Sequence, residues 1–180
     1  MVIKVNGMND ASFSADASGP SETAALVEQL AKALQDKGWM MATAESCTGG
    51  LIAGACTDLS GSSNWFERGF VTYSNEAKTE LLGVDAALIA GHGAVSEQVA
   101  RAMAEGAVAR SRAQVSVAVT GVAGPTGGSV DKPVGTVWFG WSVGGQTRTE
   151  RRRFQGGRAE VREATVDHAL HVLIELLRRA

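Results

Sequence analysis

A chain of 180 residues, 44% hydrophobic and 20% charged, is long enough to bury one substantial core and short enough that a single domain is the favoured count. Its formal net charge of −2 and balanced composition exclude a disordered chain and give no support to a polyanion-wrapping one, so no nucleic-acid partner is expected. No apolar run has the length of a membrane span or a signal-peptide core, and Cys47 and Cys56 lack disulfide-framework or zinc-site spacing; a cytoplasmic, metal-free protein is the expectation.

Residues 1–20, rich in Ser, Ala, Asp and Gly without periodicity, read as a flexible extension, and the domain is expected over 21–180. Leu26, Val27, Leu30, Ala31 and Leu34 recur at helical spacing, and Lys37 and Gly38 then supply a cation in the last turn and a terminating glycine. Residues 39–43 predict a short apolar strand running into Glu45 and Ser46, and 51–56 a helix opened by Thr48-Gly49-Gly50, so Ser46 falls at a strand-to-helix turn. A strand is expected over 69–73, then a helix over 75–82 that Gly83 ends. Ser96 is a plausible N-cap for an Ala-rich helix reaching Arg110, with Glu97 in its first turn.

Residues 114–119 alternate Val with Ser and Ala, small enough for both faces to be covered, and predict an interior strand ending at Thr120. The Gly/Pro-rich stretch 121–128 must be a loop. Strands over 136–143 and 147–154 make a hairpin around Gly144-Gly145, and a long helix over 159–178 closes the chain. This order predicts an α/β fold, a single-domain three-layer α/β/α sandwich on a mixed sheet. The last helix carries two apolar stripes, Val161, Thr165, His168, Val172, Leu176 and Leu170, Ile174, Leu177, which raises the expectation of a homo-oligomer. The arginine-rich stretch 148–163 reads first as a solvated edge strand, with a phosphate contact as the functional alternative.

Ligands of open α/β sheets bind beyond the carboxyl ends of strands, and three loops qualify here. The first, Ala44-Glu45-Ser46-Cys47-Thr48-Gly49-Gly50, sets a hydroxyl before a helix whose first amides favour an anion, although a serine in that position is more often only a cap. The second carries Tyr73 and Lys78, and a desolvated lysine can replace histidine as the base for a serine. The third holds Thr120 and Gly121. Cys47 competes as nucleophile, because a thiol at a helix start can have a lowered pKa. His92, His168 and His171 are poor partners: one lies among glycines, and the other two sit on the terminal helix without a third metal ligand.

Several ordered motifs add to this. TAESCTGGLIA at 43–53, GSS at 61–63, VTYSNEAKTELLGV at 71–84, GAVSE at 93–97, AVTGVAGPTGG at 118–128 and KPVGTV at 132–137 together resemble the CinA C-terminal-domain family, the stand-alone nicotinamide mononucleotide (NMN) deamidases. The resemblance runs from about Ser21 to the C-terminus. It implies hydrolysis of the NMN carboxamide to nicotinate mononucleotide and ammonia, in pyridine nucleotide recycling, without a metal or other cofactor. In that family's pattern Ser46 is the nucleophile, Lys78 the general base and Tyr73 a supporting proton-relay or orienting residue. The amides of Cys47, Thr48, Gly49 and Gly50 would hold the oxyanion, Thr120 and Gly121 would line the pocket, and Arg158 of the FxGxR pattern would meet the substrate phosphate. A non-catalytic nucleotide-binding module, or a competence- or damage-related interaction module of the same fold, is the alternative.

Overall fold

The structure is a computed structural model that describes residues 21–180; the expected extension over 1–20 lies outside the described residues. Its elements run α1 (Glu22–Lys37), β1 (Met41–Glu45), α2 (Leu51–Asp58), a 3-10 turn (Ser62–Asn64), β2 (Phe66–Val71), α3 (Asn75–Leu82), α4 (Ala86–His92), α5 (Glu97–Ala109), β3 (Val115–Gly121), β4 (Thr136–Val143), β5 (Gln146–Arg153) and α6 (Arg158–Arg179). The sheet order is β2-β1-β3-β4-β5. The first three strands are parallel, and β4 and β5 continue the sheet antiparallel. Because β2 and β3 flank β1 on opposite sides, the chain reverses its direction of travel across the sheet at β1, the place where ligands of such sheets bind beyond the strand ends.

Local signals set most boundaries. Ser21, Ser74 and Ser96 accept from the amides of Ala24, Ala77 and Val99 as N-caps of α1, α3 and α5. Gly144 and Gly145 both take positive φ in the two-residue turn between β4 and β5, the conformation that joins twisted antiparallel strands. Strands β1 and β2 begin two or more residues from where the apolar pattern suggests. β1 starts at Met41 rather than 39, and β2 covers Phe66–Val71 rather than 69–73, since its outer edge is open and its Glu67 and Arg68 break the apolar run. Helix α4, absent from the sequence expectation, is one short Ala/Gly-rich segment capped by Asp85 with Ile89 alone buried, too brief to show a period.

The sheet's two faces differ. Val115, Val117, Val119, Val137, Phe139 and Trp141 point toward α1, α2 and α6, whereas Ala42, Ala44 and Ala118 point toward α3, α4 and α5. Small residues let the second helical layer lie close. Gly140 backs directly on the Ala100 carbonyl of α5, and Gly106 of α5 backs on the Leu82 carbonyl of α3, with no room for a Cβ at either position. Both apolar stripes of α6 are used within the chain: Leu170, Leu173, Ile174 and Leu177 are buried in the cluster shared with α1 and the sheet, and Trp141 Nε1 donates to the Ala169 carbonyl at 3.0 Å. The stripe count therefore gives no argument for assembly. His168 packs edge-on against Phe139 at 4.9 Å, and burial lowers its pKa. The arginine-rich strand β5 is the second sheet edge, with Arg148, Arg151, Arg152 and Arg153 exposed.

Gly106→Ala is expected to push α3 away from α5 and lose about 1–3 kcal/mol of stability. Urea unfolding measures it, and an unchanged midpoint would contradict the tight α3–α5 approach.

Candidate active site

The parallel ladder carries the site. Glu45 pairs with Val71 on one side and Val119 on the other, and the pairing runs one residue further: Ser46 N–H donates to the Val119 carbonyl and Thr72 N–H to the Glu45 carbonyl. Ser46, Thr72 and Thr120 thus stand in one row at the carboxyl ends of β1, β2 and β3, all three buried. Lys78 comes down on this row from α3. Its side chain is 1% exposed, and its Nζ lies 3.1 Å from Ser46 Oγ and 2.8 Å from the Thr72 carbonyl oxygen. The carbonyls of Ser74 and Tyr73 follow at 3.4 and 3.5 Å. Burial lowers the Lys78 pKa from the ordinary lysine value, which favours the neutral amine. The Thr72 carbonyl is the nearest acceptor for the amine, and Ser46 Oγ is the next.

The helix start is not open to a ligand in the way its sequence suggests. Glu45, fully buried, turns back on α2: Oε2 accepts from Thr48 Oγ1 at 2.7 Å, Gly50 N–H at 3.0 Å and Ile52 N–H at 3.1 Å, and Oε1 from Ala53 N–H at 2.8 Å. A carboxylate of the chain itself fills the anion site at this N-terminus. Gly49 N–H is spent on the Ser46 carbonyl. Of the four amides expected to hold an oxyanion, those of Gly49 and Gly50 are therefore occupied, and those of Cys47 and Thr48 have no oxygen acceptor among the described residues. The Thr48 hydroxyl is likewise committed.

The Cys47 thiol does not have the expected character of a helix-start nucleophile. It is packed into the core layer of α1 and α6, and its pKa is pushed up to about 11, chiefly by burial and further by the Glu45 charge, against the smaller opposing effect of the neighbouring amides. Thr120 Oγ1 donates to the Ala94 carbonyl at 2.9 Å, which leaves its lone pairs free to accept. Gly121 lies beside the Thr136 carbonyl and the Val137 side chain, as a residue of tight packing. Tyr73 is 64% exposed, and its phenol oxygen accepts from Arg158 Nη2 at 3.3 Å; only its backbone carbonyl approaches Lys78. Arg158 also donates to the Gly124 carbonyl at 3.0 Å, tying α6 to the loop after β3.

The sequence reading did not single out Glu45, Arg162 or Thr72. Arg162, one turn after Arg158 on α6, donates to the Thr48 carbonyl at 2.9 Å and holds the serine turn from the other side. Spacing of i, i+4 from Arg158 was the available signal for it. No three or more His, Cys, Asp or Glu side chains gather as a metal site among the described residues, and none of their helices is long and apolar enough to cross a membrane.

The model of the CinA C-terminal domain family matches residues 23–177. The chain belongs to the CinA C-terminal domain family. Members among its relatives include the nicotinamide-nucleotide amidohydrolase PncC of Escherichia coli (strain K12), 51% identical over 154 residues that cover 85% of this chain and 93% of that protein. The nicotinamide-nucleotide amidohydrolase PncC of Pseudomonas putida is 52% identical over 84% of this chain and 94% of its own length. A solved structure, the competence/damage inducible protein CihA from Agrobacterium tumefaciens, superposes with a TM-score of 0.85 at 47% identity, covering 89% of this chain and 99% of the other.

Two outcomes follow from the burial of these groups. Lys78→Met is expected to raise thermal stability at neutral pH, because the folded chain holds an amine whose pKa lies below the unfolded value of 10.5. In the parent, stability rises with pH between those two values, so the advantage of the variant should shrink as pH climbs toward 10.5. Melting curves across pH check the sign. Cys47 should resist alkylation near neutral pH in the native protein and react on unfolding, as counted by mass spectrometry of modified peptides.

Proposed function

We propose that this chain hydrolyses the carboxamide of nicotinamide mononucleotide, giving nicotinate mononucleotide and ammonia, with Ser46 as nucleophile and Lys78 as general base. The observation that carries the mechanism is the buried amine 3.1 Å from a serine hydroxyl at a strand end. The names of the relatives, nicotinamide-nucleotide amidohydrolases across more than nine-tenths of their length, support the substrate class.

Ser46 Oγ attacks the amide carbon and passes its proton to Lys78 Nζ. The amides of Cys47 and Thr48 are the donors left for the oxyanion, Gly50 being held by Glu45. The Lys78 ammonium then protonates the departing nitrogen, ammonia leaves, and an acyl ester remains on Ser46. Water attacks that ester with Lys78 again taking a proton, and the carboxylate leaves with the serine restored. Arg158, exposed beside Tyr73, is the cation placed to meet the substrate phosphate, with Thr120 offering lone pairs to the pocket interior. The reading keeps a cytoplasmic homo-oligomer; the exposed Leu51, Val71 and Tyr73 around the site are the apolar surface that supports assembly.

Ammonia release from nicotinamide mononucleotide tests it. Ser46→Ala and Lys78→Ala should each lower kcat by at least about a thousandfold, while Cys47→Ala should keep most of the activity. The rate should rise with pH as Lys78 loses its proton, with the limb below the ordinary lysine value of 10.5. Arg158→Ala should raise KM by about tenfold or more with a smaller change in kcat. Binding of the nucleotide without ammonia release by the parent protein would favour a non-catalytic module instead.

A further inference from the structure

Among the buried side-chain polar atoms of the described residues, Thr43 Oγ1, Thr72 Oγ1, Arg162 Nε and His168 Nε2 have no hydrogen-bond partner. Thr43 lies beneath α2, beside Gly69 and Ala53, on the face opposite Lys78. Thr72 is different. It stands next to Ser46 in the row of strand-end hydroxyls, it is fully buried, and its own carbonyl oxygen is the nearest acceptor of the Lys78 amine, at 2.8 Å. Alternation along the strand turns its side chain to the face where Phe70 packs, the face from which α3 delivers Lys78. An orphaned buried hydroxyl costs stability, and valine would fill the same space without that cost.

We propose that Thr72 is a positioning residue for Lys78: its hydroxyl swings about χ1 to accept from the ammonium that forms when Ser46 gives up its proton. A neutral amine has two hydrogens, which the Thr72 carbonyl and the more distant Ser74 carbonyl take up. The third hydrogen, gained in the first chemical step, is left with only the Tyr73 carbonyl at 3.5 Å, at the outer limit of hydrogen bonding, once the serine oxygen is bonded to carbon, and a turned Thr72 hydroxyl supplies a better acceptor. Thr120 keeps lone pairs to accept with, but its hydroxyl is held in place by its bond to the Ala94 carbonyl, and it makes no hydrogen bond to the Lys78 amine. The other groups around the amine leave this place to Thr72: the Cys47 thiol is held protonated, Glu45 is committed to α2, and the Tyr73 phenol faces Arg158. The inference rests on the serine–lysine reading above and adds a residue to it.

Thr72→Val tests the proposal, with Thr72→Ser as the conservative control. Expected for Thr72→Val are a kcat lower by about tenfold to a hundredfold, the worth of one hydrogen bond to a charged group, an unchanged KM, and a melting temperature equal to or above the parent's. The limb of the pH–rate profile should move to lower pH, since a less stabilised ammonium loses its proton earlier. Thr72→Ser should restore both plateau and limb. An unchanged kcat, or a lowered kcat with the limb unmoved, overturns the proposal. Titration of Lys78 by NMR with ε-carbon-labelled lysine reads the same shift without substrate. A parent that released no ammonia would therefore defeat the proposed activity alone, and an unshifted Lys78 titration in an active parent would defeat only the role of Thr72.

Discussion

The Lys78 amine, enclosed at the end of the parallel strands beside the Ser46 hydroxyl, has no carboxylate partner in contact with it among the described residues, only hydroxyl and carbonyl oxygens. Burial of a cation in such surroundings is unfavourable, and the amine responds by losing affinity for its proton. That constraint fixes much else. The helical layer over the site must come close enough for a lysine to reach the sheet, which accounts for the alanines and glycines on that face and for the direct stacking of α5 on Gly140. Carbonyls at 72, 73 and 74 must turn inward, which the Ser74 cap and the start of α3 bring about.

Glu45 and Arg162 frame the nucleophile turn with opposite charges. The carboxylate gathers a hydroxyl and three amides from Thr48 to Ala53, and the guanidinium takes the Thr48 carbonyl. Such a turn is rigid before any ligand arrives, and rigidity at the reacting atom lowers the reorganisation required during reaction. It also explains why a serine and not the adjacent cysteine faces the amine. The backbone at 46 and 47 sends the two side chains to opposite layers, Ser46 toward α3 and Cys47 into the core of α1 and α6. The charge that organises the turn further discourages ionisation of the thiol.

Much of the architecture was legible from pattern. Strand 136–143, the Gly144-Gly145 turn, the helix over 75–82 and the caps at Ser96 and Gly83 all rest on short-range chemistry, and the structure places them there. The bounds of strand β2 and the whole of helix α4 escaped because their stability is borrowed. An edge strand with charged residues is held by its partner β1, and a seven-residue helix by one buried isoleucine and an aspartate cap. The motif spacing, read with the family resemblance, brought attention to Ser46, Lys78 and Thr120; Ser46 and Thr120 stand at adjacent strand ends, and Lys78 reaches Ser46 from α3.

By itself, then, the order of residues determined most of the elements, their layers and the strand ends at which chemistry would gather, since helix caps, turn glycines and apolar periods act over a few positions. Only the tertiary structure decided how the hydrogen bonds of those strand ends are shared. That Glu45 spends the helix amides, that the Tyr73 phenol turns outward to Arg158, and that Thr72 keeps a buried hydroxyl without a partner are results of packing between segments distant in the chain. A single donor or acceptor goes to whichever partner the fold brings nearest, and no local pattern records that choice.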